Sequence, residues 1–364
     1  MKKPISGSRY FLLCLFGLVA LSCAQKMTSQ KQDAASKMTK NKVQLISLPA
    51  ERRVNVLIDG QLFTAYQYPA DIAKPVLYPL LTPSGKMLTR GFPMDAKAGE
   101  RVDHPHHVGI WLNYGYVNGL DFWNNSEAIP AEKKDKYGTI YHQAIDEIEQ
   151  GNGQATLKVS ASWKAPTGQT LLDEATTFIF SVNGDTRIIE RITKLTAKAI
   201  DVSFKDNKEG MFGIRVTRAL EFPTEKPVLL TGADGKPAAA PTIDNEGVNG
   251  NYLSSEGITG RGVWGTRGKW MNLYGSLEGE EVAIAILDHP GNPGYPTYWH
   301  ARDYGLFAAN PLGQSALSKG KDELNFALKA GESVTFRYQI LVHAGAALSK
   351  EEIEAASEAF GSGS

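Results

Sequence analysis

The sequence predicts an all-β protein: a large antiparallel β-sandwich, supersandwich-like, with a short C-terminal helix. Three observations carry this expectation. First, apolar residues alternate with polar ones at period two, as in Ala155, Leu157, Val159, Ala161 and Trp163, and again in Val334, Phe336, Tyr338, Ile340 and Val342, the pattern of half-buried strands. Second, 36 glycines and 18 prolines supply the turn chemistry that many short connections demand. Third, helix signals are few, and the best lies at the end of the chain, where Ser349 and Glu352 have capping-box spacing ahead of Ile353, Ala356 and Phe360.

Along the chain, Lys2, Lys3 and Arg9 precede an apolar run from Tyr10 to Leu21 that ends at Ala20-Leu21-Ser22-Cys23. This is the layout of a secretory signal. Its length of about 12 residues is too short to span a bilayer, and a cysteine at the cleavage point marks residues 1–23 as a lipoprotein signal with Cys23 as the lipidated residue. Residues 24–42 are polar and aperiodic, a tether from membrane to domain. No acidic run follows Cys23, so the expected address is periplasmic, anchored to the outer membrane. From Val43 onward strands dominate: Thr176–Val182, Thr186–Thr193 and Met211–Thr217 read as strands, and the continuous apolar run Val282–Leu287 as an inner one. Val182-Asn183-Gly184-Asp185 is a hairpin signal. Residues 231–262 form a long glycine-rich loop, and Gly361–Ser364 reads as a flexible tail. No composition break divides the body, so 43–364 is expected to be one sandwich domain.

Composition excludes several classes. Lys plus Arg is 39 and Asp plus Glu is 39, which leaves no basic field for nucleic acid. The two cysteines, Cys14 and Cys23, both lie in the signal, so the mature body has no disulfide, thiol nucleophile or Cys-ligated metal. Membrane association is expected through the lipid anchor alone, and nothing in the sequence sets the oligomeric state.

Chemistry concentrates in histidine. Of seven histidines, three fall within Asp103-His104-Pro105-His106-His107, and two more lie in Asp288-His289-Pro290 and Tyr298-Trp299-His300-Ala301-Arg302-Asp303. Imidazole titrates near neutrality and is the commonest metal ligand. With residues 107–114 as a strand, Val108, Ile110, Leu112 and Tyr114 face the core, while His107, Gly109, Trp111 and Asn113 face a cleft. With 297–303 extended, Tyr298, His300 and Arg302 share a face. Neighbours in a strand point apart, so the useful carboxylate–imidazole pair is expected between the two clusters rather than within one. His104, His106, His107, Asp288, His289, His300, Arg302 and Asp303 are therefore the candidate catalytic residues. A divalent metal held by the imidazoles stands as a candidate cofactor, although no spacing matches a specific metal motif.

Aromatic side chains crowd the same segments and alternate with amides, carboxylates and guanidinium groups. Indole faces stack on pyranose C–H faces, while the polar partners take hydroxyls. Arg90, Trp111, Asn113, Asp121, Trp123, Tyr298 and Trp299 are the candidate substrate-binding residues for a carbohydrate.

Several segments resemble a known family. These are Tyr78–Gly85, Asp103–His107, Val117–Trp123, Phe212–Val216, Ile286–Pro290 and, longest, Pro296–Pro311. They resemble the secreted bacterial family catalogued as "methane oxygenase PmoA", or PmoA-like, across residues 50 to 343. The resemblance implies a β-sandwich found in company with sugar-processing enzymes. A membrane methane oxygenase subunit needs spanning helices, and no stretch of the mature chain approaches the length of one. Three functions follow: a carbohydrate-active acid–base enzyme (epimerase, lyase or hydrolase), a non-catalytic glycan-binding lipoprotein, and a His-ligated metal oxidoreductase as the family label would have it.

Overall fold

The computed structural model describes residues 42–363 with the exception of residue 152. Two eight-stranded antiparallel sheets form the sandwich. The first runs, edge to edge, through Val43–Leu48, Arg53–Ile58, Gln61–Gln67, Val76–Leu80, Ile110–Tyr114, Gly210–Arg215, Leu306–Asn310 and Tyr298–Ala301. The second runs through Asn251–Ser254, Trp270–Leu277, Glu280–Asp288, Ser333–Ala344, Thr186–Ala197, Thr170–Asn183, Gln154–Lys164 and Thr139–Gln150. A two-stranded ribbon pairs Val202–Phe204 with Phe326–Leu328.

The alternating segments form the second sheet as the pattern requires. Its long strands follow one another as hairpins; Asn183 pairs with Thr186, and Gly184 takes a positive φ of 58° in the turn between them, a conformation that costs glycine nothing. Glu280–Asp288 lies between Trp270–Leu277 and Ser333–Ala344, which explains its continuous apolar reading.

The first sheet is buried on both faces. Ile110, Leu112, Tyr114, Phe212, Ile214, Trp299 and Phe307 belong to the main core between the sheets. On the opposite face Val76, Tyr78, Val108, Trp111, Trp123, Leu306 and Ala308 form a second, smaller core beneath long connections. Val108 thus belongs with Trp111, not with the main core, because the strand begins only at Ile110. A two-sided sheet lacks clean alternation, so its strands are shorter to the eye than those of its partner.

A third cluster lies outside the second sheet. Ser349 and Glu352 form the expected capping box, and the helix Lys350–Ser362 packs Ile353 and Phe360 against Trp270, Leu287 and Leu341. The helix continues through Gly361 and Ser362 and is capped by Gly363, so the first half of the expected flexible tail is helical; Ser364 lies outside the described residues. The loop at 231–262 carries one short strand, Asn251–Ser254. No described helix is long and apolar enough to cross a membrane. The signal, Cys23 and the tether up to residue 41 lie outside the described residues.

Candidate active site on the outer face of the first sheet

Register places the two histidine-bearing segments on one face. His300 pairs with Ala308, Ala308 with Gly213, and Gly213 with Trp111. Directly opposed residues project to the same side of a sheet, so these four form a row across four strands. Two bulky rings flank two small residues. A Cβ on Gly213 would lie 2.8 Å from Cζ2 of Trp111; only glycine lets the indole lie across that strand.

From Trp111 a column of rings rises toward solvent. His107 stacks on Trp111 at 5.3 Å and 19°, His104 on His107 at 4.8 Å and 3°, and Tyr304 on His104 at 4.9 Å and 2°. His106 meets His107 edge-on at 4.4 Å, and Trp123 packs against both His107 and Trp111. The bottom of the column is sealed, whereas the His104 side chain is 40% exposed. His104 takes a left-handed φ of 42°, a strained conformation outside glycine. That turn brings its Nδ1 to 3.3 Å from the Asp103 carboxylate. The close carboxylate–imidazole pair is therefore within one dipeptide. The rule that neighbours diverge holds for extended backbone, and His104 is not extended.

Two buried arginines fix Asp103. Arg90 Nη1 and Arg215 Nη2 both donate to Oδ1, at 2.7 and 2.5 Å. Burial pushes the Asp103 carboxyl up, but Arg215, the nearby His104 and Arg90 outweigh it and hold the group well below the usual carboxylate range. Arg90 Nη1 and Nη2 also donate to the backbone carbonyls of Arg101, Asp103, His104 and His107, and its buried Nε has no partner. It shapes the histidine loop and, at 1% exposure, has no face to offer a substrate. Behind Arg215, Glu221 accepts from Arg101 and Arg218 at 2.5 and 2.6 Å.

Hydrogen-bond partners assign the tautomers. Arg215 can only donate, so His107 Nδ1, 3.2 Å away, is an acceptor and the ring proton sits on Nε2. The carbonyl of Lys208 can only accept, so His300 donates from Nδ1 at 2.8 Å and keeps a lone pair on Nε2. Both Nε2 atoms are buried without a partner, as are Nε1 of Trp111, Nε1 of Trp123 and Nε2 of His106. Burial, followed by the charges of Lys74 and His104, brings His106 down to about 2. Burial and His106 hold His107 well below its ordinary value, and burial lowers His300 to about 4 against the pull of Glu209. These three rings are neutral at any physiological pH.

Beyond Tyr304 the surface opens. The Arg302 guanidinium lies between the rings of Tyr304 and Trp264, at 5.3 and 5.4 Å. Arg302, Asp303, Trp264, Phe222 and Tyr252 line a cleft of about 360 Å³, within the range of small-molecule sites. Asp303 accepts from Arg261 Nε at 3.1 Å on its rim.

The remaining expected residues are placed elsewhere. Trp299 is fully buried in the main core with Nε1 bonded to Gly268, because odd positions of Tyr298–Ala301 face inward. Asp288 is at the end of the second sheet, where its carboxylate accepts from Asn292 Nδ2 at 2.7 Å and the Thr297 amide at 2.8 Å. His289 accepts the Gly291 amide and meets Phe360 edge-on. Both hold a loop and a helix in place. Tyr298 donates to Asp322, Asn113 to the Phe122 carbonyl, and Asp121 accepts from Asn124; of these, Asp121 is half-buried at the edge of the face. Arg302 lies one residue beyond the strand Tyr298–Ala301, with its guanidinium against Tyr304 and its charge felt by His300. Sequence reasoning passed over Arg215, Tyr304 and Glu221. Arg215 and Tyr304 both stand inside the segments of resemblance, which is the one signal the sequence offers for them.

Parallel imidazoles aim their nitrogens along their own planes, so His104 and His107 do not converge on a common point as metal ligands must. Among the described residues no group of three or more His, Cys, Asp or Glu side chains is arranged to hold a metal ion.

The sequence profile of a family of unknown function (DUF6807) matches residues 53–358. The chain belongs to this family. The DUF6807 chain matches no curated protein sequence. Among solved structures it is similar to the GH36 α-galactosidase AgaB from Geobacillus stearothermophilus, at 10% identity and a TM-score of 0.38, over 83% of this chain and 41% of that one. It is similar to the galactosidase domain of α-galactosidase-sucrose kinase AgaSK at 10% identity and a TM-score of 0.37, over 82% and 41%. It is also similar to galactose 1-epimerase from Lactobacillus acidophilus NCFM at 8% identity and a TM-score of 0.33, over 84% and 100%. The chain thus spans about two fifths of the two galactosidases. These likenesses are remote, and the site stands on its own residues.

Proposed function

We propose that this DUF6807 protein is a carbohydrate-active acid–base enzyme working at His104. One observation carries the reading: a half-exposed imidazole, strained into the left-handed region, is held between His107 and Tyr304 and oriented by a carboxylate that two arginines keep ionised. The Asp103 carboxylate stands 3.3 Å from Nδ1, which has no hydrogen bond in this structure; when the ring turns to make that bond, its tautomer is fixed and Nε2 is left to exchange a proton with a substrate. Arg302, whose partners are ring faces, is placed to hold a carboxylate or a developing oxyanion. The partly exposed Trp264 ring of the adjoining cleft offers a stacking surface to a sugar on the side away from Arg302, while Phe222 is taken up by Tyr252 and Arg261. Epimerisation, elimination and hydrolysis all use such a dyad.

The test is turnover by wild type, His104→Gln and Asp103→Asn on a panel of neutral and acidic oligosaccharides, with thermal unfolding as the control for folding. Activity should fall at least 100-fold in His104→Gln. Unchanged turnover in that variant would sink the reading. Sugar binding with no turnover on any glycan would favour the non-catalytic alternative, which the neutrality of His106, His107 and His300 supports. The PmoA-like label and a periplasmic, Cys23-anchored address complete the proposal. Metabolic labelling with palmitate, abolished in Cys23→Ser, tests the anchor.

A further inference from the structure

A second cleft, of about 740 Å³, opens on the far side of the imidazole cluster, between the 68–75 connection of the first sheet and the edge strand Thr139–Gln150 of the second. Its aromatic surface is built. Tyr68 stacks on His142 at 3.8 Å and 27°, and the Tyr66 hydroxyl, 3.0 Å from His142 Nδ1, fixes that ring from behind. Tyr141 stands 51% exposed on the rim. Two polar side chains lining the cleft are more than nine-tenths buried: Lys74 at 2% exposure and Asn125 at 3%. Lys74 makes one hydrogen bond, to the His106 carbonyl at 2.6 Å, and lies 5.3 Å over the Trp111 ring. Asn125 spends both amide protons on Gly138 and Thr139, and its Oδ1 is buried without a partner. A buried ammonium with donors to spare and an orphaned amide oxygen beside it are costly unless something meets them.

The charges give the sign of what does. Arg52, Lys74 and Lys134 line the cleft against one carboxylate, Glu127, which Lys134 already engages at 3.3 Å. We infer that this cleft is a binding site for acidic saccharides, in which the Tyr68–His142 surface stacks one sugar ring, the exposed Tyr141 on the rim packs against the next, Asn125 accepts a hydroxyl and Lys74 binds the uronate carboxylate. The site is separate from His104 and does not depend on the acid–base reading. Burial brings the Lys74 amine down to about 7 against the pull of Asp121. The other groups facing it are His106, already neutral, and across the cleft Glu127, Lys134, Arg52 and His142. A bound carboxylate would restore its proton, so binding should tighten as pH falls through 7.

Isothermal titration of the full protein with digalacturonate and with its neutral counterpart, digalactose, tests the inference. The expected result is at least tenfold preference for the acid, proton uptake on binding, and at least tenfold loss in both Lys74→Gln and Tyr141→Ala, with His104→Gln binding as wild type. Tyr141 is exposed enough that its variant keeps the fold even if Lys74→Gln does not. Equal affinity for the two saccharides, no binding of either, or binding that survives Tyr141→Ala would overturn it. Loss of binding in His104→Gln alone would move the acidic saccharide to the first site and equally overturn it.

Discussion

Asp103-His104 and Asp288-His289 are the same two letters, and the protein uses them in opposite ways. At the first, the carboxylate is a third exposed, faces two arginines and sits beside its own neighbour's imidazole. At the second, the carboxylate is fully buried, is satisfied by an amide side chain and a backbone N–H, and its histidine packs on a helix. Burial pushes Asp288 up to about 7, whereas the arginines hold Asp103 down despite its own burial. A dipeptide does not set its chemistry; the charges that the fold brings within about 4 Å do.

The comparison breaks first at Arg215. It is fully buried, donates to Asp103 and His107, and stands 3.9 Å from Glu221. Arg215→Ala leaves Asp103 half paired and Glu221 short of a counter-charge in the interior. Removing one partner of a buried charge network costs about 3–5 kcal/mol, and urea unfolding should show a loss of that size. A loss under 1 kcal/mol would mean that the arginine pair does not organise the site.

The Asp288 end should answer to packing instead. Phe360 is 5% exposed, meets His289 edge-on and closes the cluster of Trp270, Leu287 and Ile353. Phe360→Ala should cost about 3 kcal/mol as a cavity and leave any turnover of the folded protein unchanged. Smaller again is Gly213→Ala. Its Cβ would lie 2.8 Å from the Trp111 ring, so the indole must shift, at about 1–3 kcal/mol. The ring column rests on that indole, so ligand binding at His104 should weaken in Gly213→Ala and not in Phe360→Ala. Equal binding in the two variants would show that the column is not load-sharing with the site.

Legibility in the sequence followed burial geometry. The second sheet has one face on the core, and alternation, with one continuous apolar run, locates the middles of five of its strands. The one expected from Thr176 nevertheless begins at Thr170, the one expected to end at Thr193 runs to Ala197, and Thr139–Gln150, Asn251–Ser254 and Trp270–Leu277 carry no such expectation. The capping box of the terminal helix is where its spacing puts it. The first sheet is covered on both sides, so its alternation is muted, and Trp299 was assigned to substrate when its strand turns it inward. The histidine cluster and its meeting with the 298–304 segment were visible as composition and motif. What could not be read was the local backbone: one residue at φ 42° converts a pair expected to diverge into the closest carboxylate–imidazole contact of the site. Arg215 was invisible for a related reason, since nothing in the sequence tells which buried cation meets Asp103 across 112 positions.

The effect sharpest in sign is the pH dependence at the two carboxylates. An unfolded Asp titrates near 3.9. Asp288 holds its proton in the folded state up to about 7, so between these values the folded chain carries a proton that the unfolded chain lacks, and stability must fall as pH rises. Its contribution is complete below pH 4 and lost above 7. Asp103 has the reverse sign: its folded form stays ionised below the unfolded value, so its contribution is complete above pH 4 and lost as pH falls further. Asp288→Asn should therefore flatten the stability profile between pH 4 and 7, by at most about 1.4 kcal/mol per pH unit. Asp103→Asn should leave that window alone and flatten the acid limb. Urea midpoints measured from pH 3 to 8 for the two variants and wild type decide it. If both substitutions alter the same limb, the two dipeptides share one electrostatic environment, and the contrast between them fails.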